Sequence, residues 1–203
     1  IRNLATECRM PFCYGGGVKT VAQANRIISL GVEKVAISSA AIDNPELVAE
    51  LAVEIGSQSV VVVLDVRKRR FGGRYDVYTH NGTKNTKRCP FELAREFERL
   101  GAGEVVVNSI DNDGVMKGYD LKLARKLRDA VSLPLTILGG AGSYDDIKAL
   151  INEFGIIGAS AGSLFVFKGI YRAVLINYLS PEDKESLLNL SNKDTSQRPV
   201  GTT

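Results

Sequence analysis

Asp65 closes the apolar run Ser59-Val60-Val61-Val62-Val63-Leu64. A carboxylate at the end of such a strand faces the mouth of a barrel, where partial desolvation favours its neutral form and lets it shuttle protons near neutral pH. The competing reading pairs Asp65 with Arg67 or Lys68, or makes it a loop cap, and spacing alone does not separate the two. Glycine clusters supply the other half of the chemistry. Gly139-Gly140-Ala141-Gly142 follows the apolar stretch Leu133 to Leu138, and Gly15-Gly16-Gly17 follows Pro11 to Tyr14. Bare backbone at these turns can approach a ligand closely, and amides with hydroxyls beside a helix start suit a phosphate.

The two clusters are copies of one unit. Each leads into a helix, and a small polar pair follows at the same distance: Gly16 and Ser38 are 22 residues apart, as are Gly140 and Gly162. The pairs are Ser38-Ser39 and Gly162-Ser163. The copies lie 124 residues apart, or about four strand-helix units at roughly 30 residues each, as matching quarters of two half-barrels would. Two cradles facing each other across one mouth imply a substrate with a phosphate at each end.

Other polar residues carry weaker signals. Asp111-Asn112-Asp113-Gly114 ends a strand and is turn chemistry first, although its carboxylates can orient hydroxyls and Gly114 can offer an amide to a phosphate. The spacing to a distal glutamate that a calcium loop needs is missing, and no metal is expected. Lys34 and Glu104 open two strands, where charges usually meet solvent or one another. His80 is the only histidine. In a Thr79-His80-Asn81-Gly82 turn it reads as structural, which argues against Ser-His-Asp and zinc chemistry.

The elements that position these groups alternate along the chain. Strands are expected at 12–14, 34–38, 59–65, 104–109, 134–138 and 156–160, each followed by a helix, at 20–30, 45–55, 91–100, 120–130, 144–154 and 169–178. Pro45 and Pro90 mark helix starts, Gly31, Gly56, Gly101 and Gly155 helix ends, and Ser143 with Asp146 a capped start. Continuously apolar strands indicate a parallel sheet buried on both faces. The fold expected is α/β, a (β/α)8 barrel lacking its first two units. Six units are present because the second glycine copy must be units seven and eight, and Ile1 to Arg9 reads as a helix already under way. A complete doubly wound sheet of six strands is the alternative. Residues 1–179 form this partial barrel, and 180–203 a polar tail.

Bulk properties narrow the class. The chain has 203 residues, 44% hydrophobic and 24% charged, with a net charge of +3. That charge is too small to indicate nucleic acid, and no apolar run spans a bilayer. The run Arg67-Lys68-Arg69-Arg70 reads as a solvated loop rather than an anion surface. Three cysteines without metal spacing read as reduced thiols, which fits a cytoplasmic setting.

Several segments together resemble one family: Gly15-Gly16-Gly17, Gly56 to Val62, Gly82-Thr83-Lys84-Asn85-Thr86, Ser109 to Gly114 with Gly118-Tyr119-Asp120, and Gly139 to Gly142. This combination is similar to the cyclase subunit of imidazole glycerol phosphate synthase, from the first residues to about Tyr178. The resemblance implies an eight-unit barrel without a cofactor. Such a barrel takes ammonia from a glutaminase docked at its amino-terminal face and uses it to cleave and cyclise a bis-phosphorylated ribulosyl substrate in histidine biosynthesis.

Carried over by position, Asp65 resembles the second catalytic aspartate, a general acid/base. Gly17, Ser38 and Ser39, beside Gly16, resemble one phosphate site; Asp113, Gly114, Gly140, Gly162 and Ser163, beside Gly139, resemble the other. Lys34 and Glu104 match two of the four ammonia-gate charges, and Gln58 sits where the glutaminase docks. The family's first catalytic aspartate and the companion gate charges lie on strands not found in this sequence, so the chain alone is expected to be inactive. Ser38-Ser39 replaces an Asn-Thr pair, and Asn108 and Leu138 stand where small hydroxyl residues are usual. These changes resemble a paralogous branch associated with surface polysaccharide, which forms an acetamidino group on a nucleotide-linked sugar. A scaffold that only docks the glutaminase is the reading from a different class.

Overall fold

The structure is a computed structural model and describes residues 1–8, 10–168, 173–176 and 178–185. Helix α1 (Arg2–Glu7) precedes β1 (Cys13–Gly15), α2 (Val21–Ile28), β2 (Lys34–Ile37), the short α3 (Ser39–Asp43) and α4 (Glu46–Ile55). A 3-10 turn at Ser57–Ser59 leads into β3 (Val60–Lys68), which is followed by β4 (Tyr75–Thr79), β5 (Lys84–Asn85) and α5 (Pro90–Arg99). The chain continues through β6 (Glu104–Ser109), α6 (Leu121–Arg128), β7 (Leu135–Leu138), α7 (Tyr144–Phe154) and β8 (Gly158–Ser160). It then forms the short α8 (Ser163–Val166), β9 (Phe167–Lys168) and β10 (Ala173–Val174).

Six strands pair in parallel in the order β1-β2-β3-β6-β7-β8, each step crossed by helices, as in a partial (β/α)8 barrel. The helix-facing side is tightly buried. Val35, Ile37, Val60, Val62, Leu64, Val66, Val105, Val107, Leu135 and Ile137 join one core with Leu47, Leu51, Leu93, Phe97, Leu123, Leu127 and Leu150 from the helices. Local signals set the helix limits. Thr20 accepts from the Gln23 N–H at the start of α2, and Ser143 with Asp146 completes a capping box on α7. Pro90 stands in the first turn of α5, and Gly155 ends α7 in the left-handed region.

Three expectations change. The sheet is not buried on both faces: burial alternates along β2, β3, β6 and β7, and the inward residues Lys34, Val63, Asp65, Glu104, Asn108 and Thr136 are half-buried. Secondly, β3 does not stop at Asp65. It runs on to Lys68 because β4 folds back and pairs with it antiparallel, Asp65 opposite Tyr78. Thirdly, a helix over 169–178 does not form as expected: within its described part, Ala173 and Val174 pair antiparallel with Lys168 and Phe167. Residues 169–172 and 177, and the polar tail from 186, lie outside the described residues.

Candidate active site

The first glycine turn opens onto a cavity of about 450 Å³ at the carboxyl ends of β1 to β3. Gly16 (φ 128°) and Gly17 (φ 74°) have left-handed backbone, and nothing lies within 4 Å of where a Cβ would sit on either. Across the cavity, Ser38 and Ser39 stand where β2 passes into α3, and the Ser38 Oγ is buried without a hydrogen-bond partner. Asp65, Val63, Lys19, His80 and Asn81 complete the walls. The catalytic candidate and the first cradle therefore line one space.

Asp65 sits where β3 changes partner, opposite Asn108 of β6 on one side and Tyr78 of β4 on the other. Its Oδ1 accepts from the Asn108 Nδ2 at 2.9 Å. The competing pairing with Arg67 is not formed: the Arg67 Nε donates to Asp111 at 3.0 Å, and its guanidinium lies over the Tyr78 ring. The Lys68 N–H also donates to Asp111. Asp111 is thereby committed to holding the hairpin, while Asp113, two residues on, reaches the second cradle.

That second cradle uses its glycines differently. Asp113, Gly114, Leu138, Gly139, Gly140, Ala141, Ser160, Ala161, Gly162 and Ser163 line a shallower hollow with about 10 Å³ of accessible space, and nothing lies within 4 Å of where a Cβ would sit on Gly162. A Cβ on Gly140 would lie 2.0 Å from the Gly118 carbonyl oxygen, and one on Gly142 2.3 Å from that of Met116. In this copy the glycines let the 114–118 loop pack against the turn, with the Gly118 N–H donating to the Gly140 carbonyl at 2.8 Å. The Tyr119 hydroxyl donates to the Ser160 carbonyl at 3.0 Å, and burial pushes its pKa up to about 12. Equal spacing in the sequence thus yields one open turn and one packed turn.

Sequence reasoning missed the hairpin that walls the first cavity. Asp76, 3% exposed, accepts from the Arg69 Nε at 2.6 Å, the Arg69 Nη2 at 2.8 Å and the Asn85 Nδ2 at 3.0 Å. The Arg69 guanidinium holds the Asp76 carboxyl below the usual carboxylate range against the opposing effect of burial. Two members of the basic run, Arg67 and Arg69, are therefore fastened to carboxylates. The hairpin turn brings His80 and Asn81 to the cavity, and the Thr-His-Asn-Gly spelling was the only signal of it.

At the strand starts, the Lys34 Nζ meets the Glu104 Oε2 at 2.7 Å, bridging over β3, and the Thr136 Oγ1 donates to the Glu104 Oε1 at 2.7 Å. The plain expectation that these charges meet one another is what the structure contains. Cys13 is the register partner of Lys34. Burial pushes its thiol up, Glu104 adds to the shift and Lys34 opposes it, while the side chain stays reachable from solvent. Gln58 is exposed on the 3-10 turn at the same end. Among the described residues no group of three or more His, Cys, Asp and Glu could hold a metal, and no helix is long and apolar enough to cross a membrane.

Residues 1–171 match the family described as "Histidine biosynthesis protein". The chain is 56% identical over 190 residues to a Vibrio vulnificus protein called "Putative imidazole glycerol phosphate synthase subunit hisF3", an alignment covering 94% of this chain and 73% of that one. A Leptospira interrogans protein, "Putative imidazole glycerol phosphate synthase subunit HisF", is 54% identical over 92% of this chain and 74% of its own length. "Imidazole glycerol phosphate synthase subunit HisF" of Petrotoga mobilis is 45% identical over 85% of this chain and 68% of its own length. With the duplicated glycine turns set at the strand ends of a partial barrel, these likenesses make the chain a member of the histidine biosynthesis protein family.

Proposed function

We propose that this chain is an ammonia-using lyase/cyclase of the imidazole glycerol phosphate synthase type, acting with a glutaminase on a bis-phosphorylated ribulosyl aminoimidazole substrate. The reading rests on its family membership and on the names of its relatives. One geometric observation carries the site assignment: Asp65 lines the same cavity as Gly16, Gly17, Ser38 and Ser39. One phosphate sits at that cradle, the other at Asp113, Gly114, Gly139, Gly140, Gly162 and Ser163, and Asp65 exchanges protons with the carbon skeleton between them. Asn108 aims the Asp65 carboxylate by its amide hydrogen bond.

The glutaminase docks at the strand-start face around Gln58, and ammonia enters past Lys34 and Glu104. Ile156 just before β8 and Val53 near the end of α4 are 97% and 87% exposed. Such apolar side chains gain from burial against a partner. Residues 1–179 are the barrel portion and 180–203 a polar extension.

A second acceptor has one observation in its favour. Leu138 lines a second hollow of about 10 Å³, tighter than the first, as suits a substrate that does not carry a phosphate at each end. A nucleotide-linked acetamido sugar is that acceptor. The test is ammonium-supported turnover by the complete eight-unit ring. Conversion of the ribulosyl bisphosphate, lost in Asp65→Asn, supports the cyclase reading. Refusal of it together with turnover of the acetamido sugar nucleotide supports the second, and association with the glutaminase without any turnover leaves only a scaffold.

A further inference from the structure

The turn between β4 and β5 places the chain's only histidine at the mouth of the first cradle. Asn81 (φ 54°) and Gly82 (φ 75°) form a left-handed turn closed by the Thr83 N–H donating to the His80 carbonyl at 3.2 Å. Asn-Gly is the favoured pair for such a turn. His80, ahead of it, is left-handed as well, at φ 53°. Asn and Gly adopt that conformation more readily than His does, and strain of this kind held by its surroundings is a pointer to function.

Two contacts fix the residue. The His80 N–H donates to the Ser39 Oγ at 3.5 Å, tying the turn to the serine pair of the cradle. The ring Nδ1 lies 3.1 Å from the Thr79 Oγ1, and Thr79 is buried. If the Thr79 hydroxyl donates to Nδ1, the neutral ring carries its proton on Nε2; in the imidazolium both nitrogens carry one. With the Thr79 hydroxyl donating, or in the imidazolium, Nε2 is a donor, which is what an anion requires. The walls of the cavity otherwise hold one carboxylate, Asp65, and one cationic side chain, Lys19. A phosphate dianion brought beside Asp65 needs further donors to offset the repulsion.

We propose that His80 is a ligand-contacting residue of the first cradle, its Nε2–H donating to a phosphomonoester held at Gly16, Gly17, Ser38 and Ser39. The inference rests on the phosphate reading of that cradle and adds to it a residue from the hairpin. His80 thereby couples the hairpin to ligand binding.

The experiment uses inorganic phosphate as the probe and the isotope-labelled chain. A single histidine gives a single imidazole signal in the NMR spectrum. With phosphate added, the His80 ring signal and the amides of Gly16, Gly17, Ser38 and Ser39 are expected to shift along one saturation curve. His80→Asn, which suits the left-handed backbone, is expected to keep or raise the melting temperature while weakening phosphate binding about tenfold. Amides that saturate while the ring signal stays still, or unchanged affinity in His80→Asn, overturn the role of His80 alone. If neither the ring nor the amides respond, the cradle reading falls with it.

Discussion

The contrast between the two glycine turns is open to a paired substitution. Gly140→Ala puts a carbon 2.0 Å from the Gly118 carbonyl oxygen and 2.8 Å from its carbonyl carbon, both backbone atoms. The two backbones are tied by the 2.8 Å bond from the Gly118 N–H to the Gly140 carbonyl, so relief means breaking that bond. The left-handed conformation costs a side chain about 1–2 kcal/mol, and overpacking about 1–3 kcal/mol more, giving about 2–5 kcal/mol in total. Gly16→Ala carries the conformational cost alone, about 1–2 kcal/mol, because no atom lies within 4 Å of the added carbon. Against a stability of about 5–15 kcal/mol, only the first change is severe. For a chain of this size, the melting temperature is expected to fall about 10 °C for Gly140→Ala and about 4 °C for Gly16→Ala. Urea and thermal unfolding followed by circular dichroism read the difference directly. Equal losses for the two substitutions would refute the claim that one turn is a packing device and the other faces open space.

Two further outcomes follow from the charges. Because Arg69 holds Asp76 below its ordinary pKa, the pair's contribution is complete above the unfolded carboxylate value near 4 and is lost as pH falls through the lower folded value. Asp76→Asn should therefore lower the urea midpoint at pH 7. The gap in urea midpoints should close in acid, and a gap independent of pH would contradict the pairing. At the strand starts, Glu104→Gln removes a charge that raises the Cys13 thiol and leaves Lys34, which lowers it. Alkylation of Cys13 near pH 8, followed by mass spectrometry with Cys8 as internal reference, should speed up several-fold; an unchanged rate would place Glu104 too far away to matter.

Local physics made much of this fold legible. Strands β3 and β6 hold valine runs, the longer helices have an amphipathic face, and Ser143 with Asp146, Pro90 and Gly155 marked helix limits. Asp65 could be placed at the strand ends because it closes a valine run, and there it lines the first cavity. What stayed hidden depends on partners far along the chain. The Tyr75–Thr79 strand buries Asp76 and Thr79, so its pattern is not that of a strand until Arg69 and Asn85 are seen to satisfy the carboxylate. His80 read as a turn residue because nothing local shows that the turn folds over the Ser39 hydroxyl. The packing behind the second glycine turn was equally out of reach, since the atoms that meet Gly140 and Gly142 belong to the 114–118 loop. The last helix was expected from the strand-helix alternation, whereas Ala173 and Val174 find strand partners instead.

The central claim is that Asp65 performs proton transfer on a ligand anchored at the first cradle. Substrate affinity and ammonium-supported turnover measured side by side in the complete ring, with Asp65 and with Asp65→Asn, test it most directly. The substitution keeps the size of the side chain and its place beside Asn108, so binding is expected to change little while kcat falls by about 10²–10⁴-fold. Turnover that survives the substitution, or affinity that collapses along with it, would contradict the role assigned to this carboxylate.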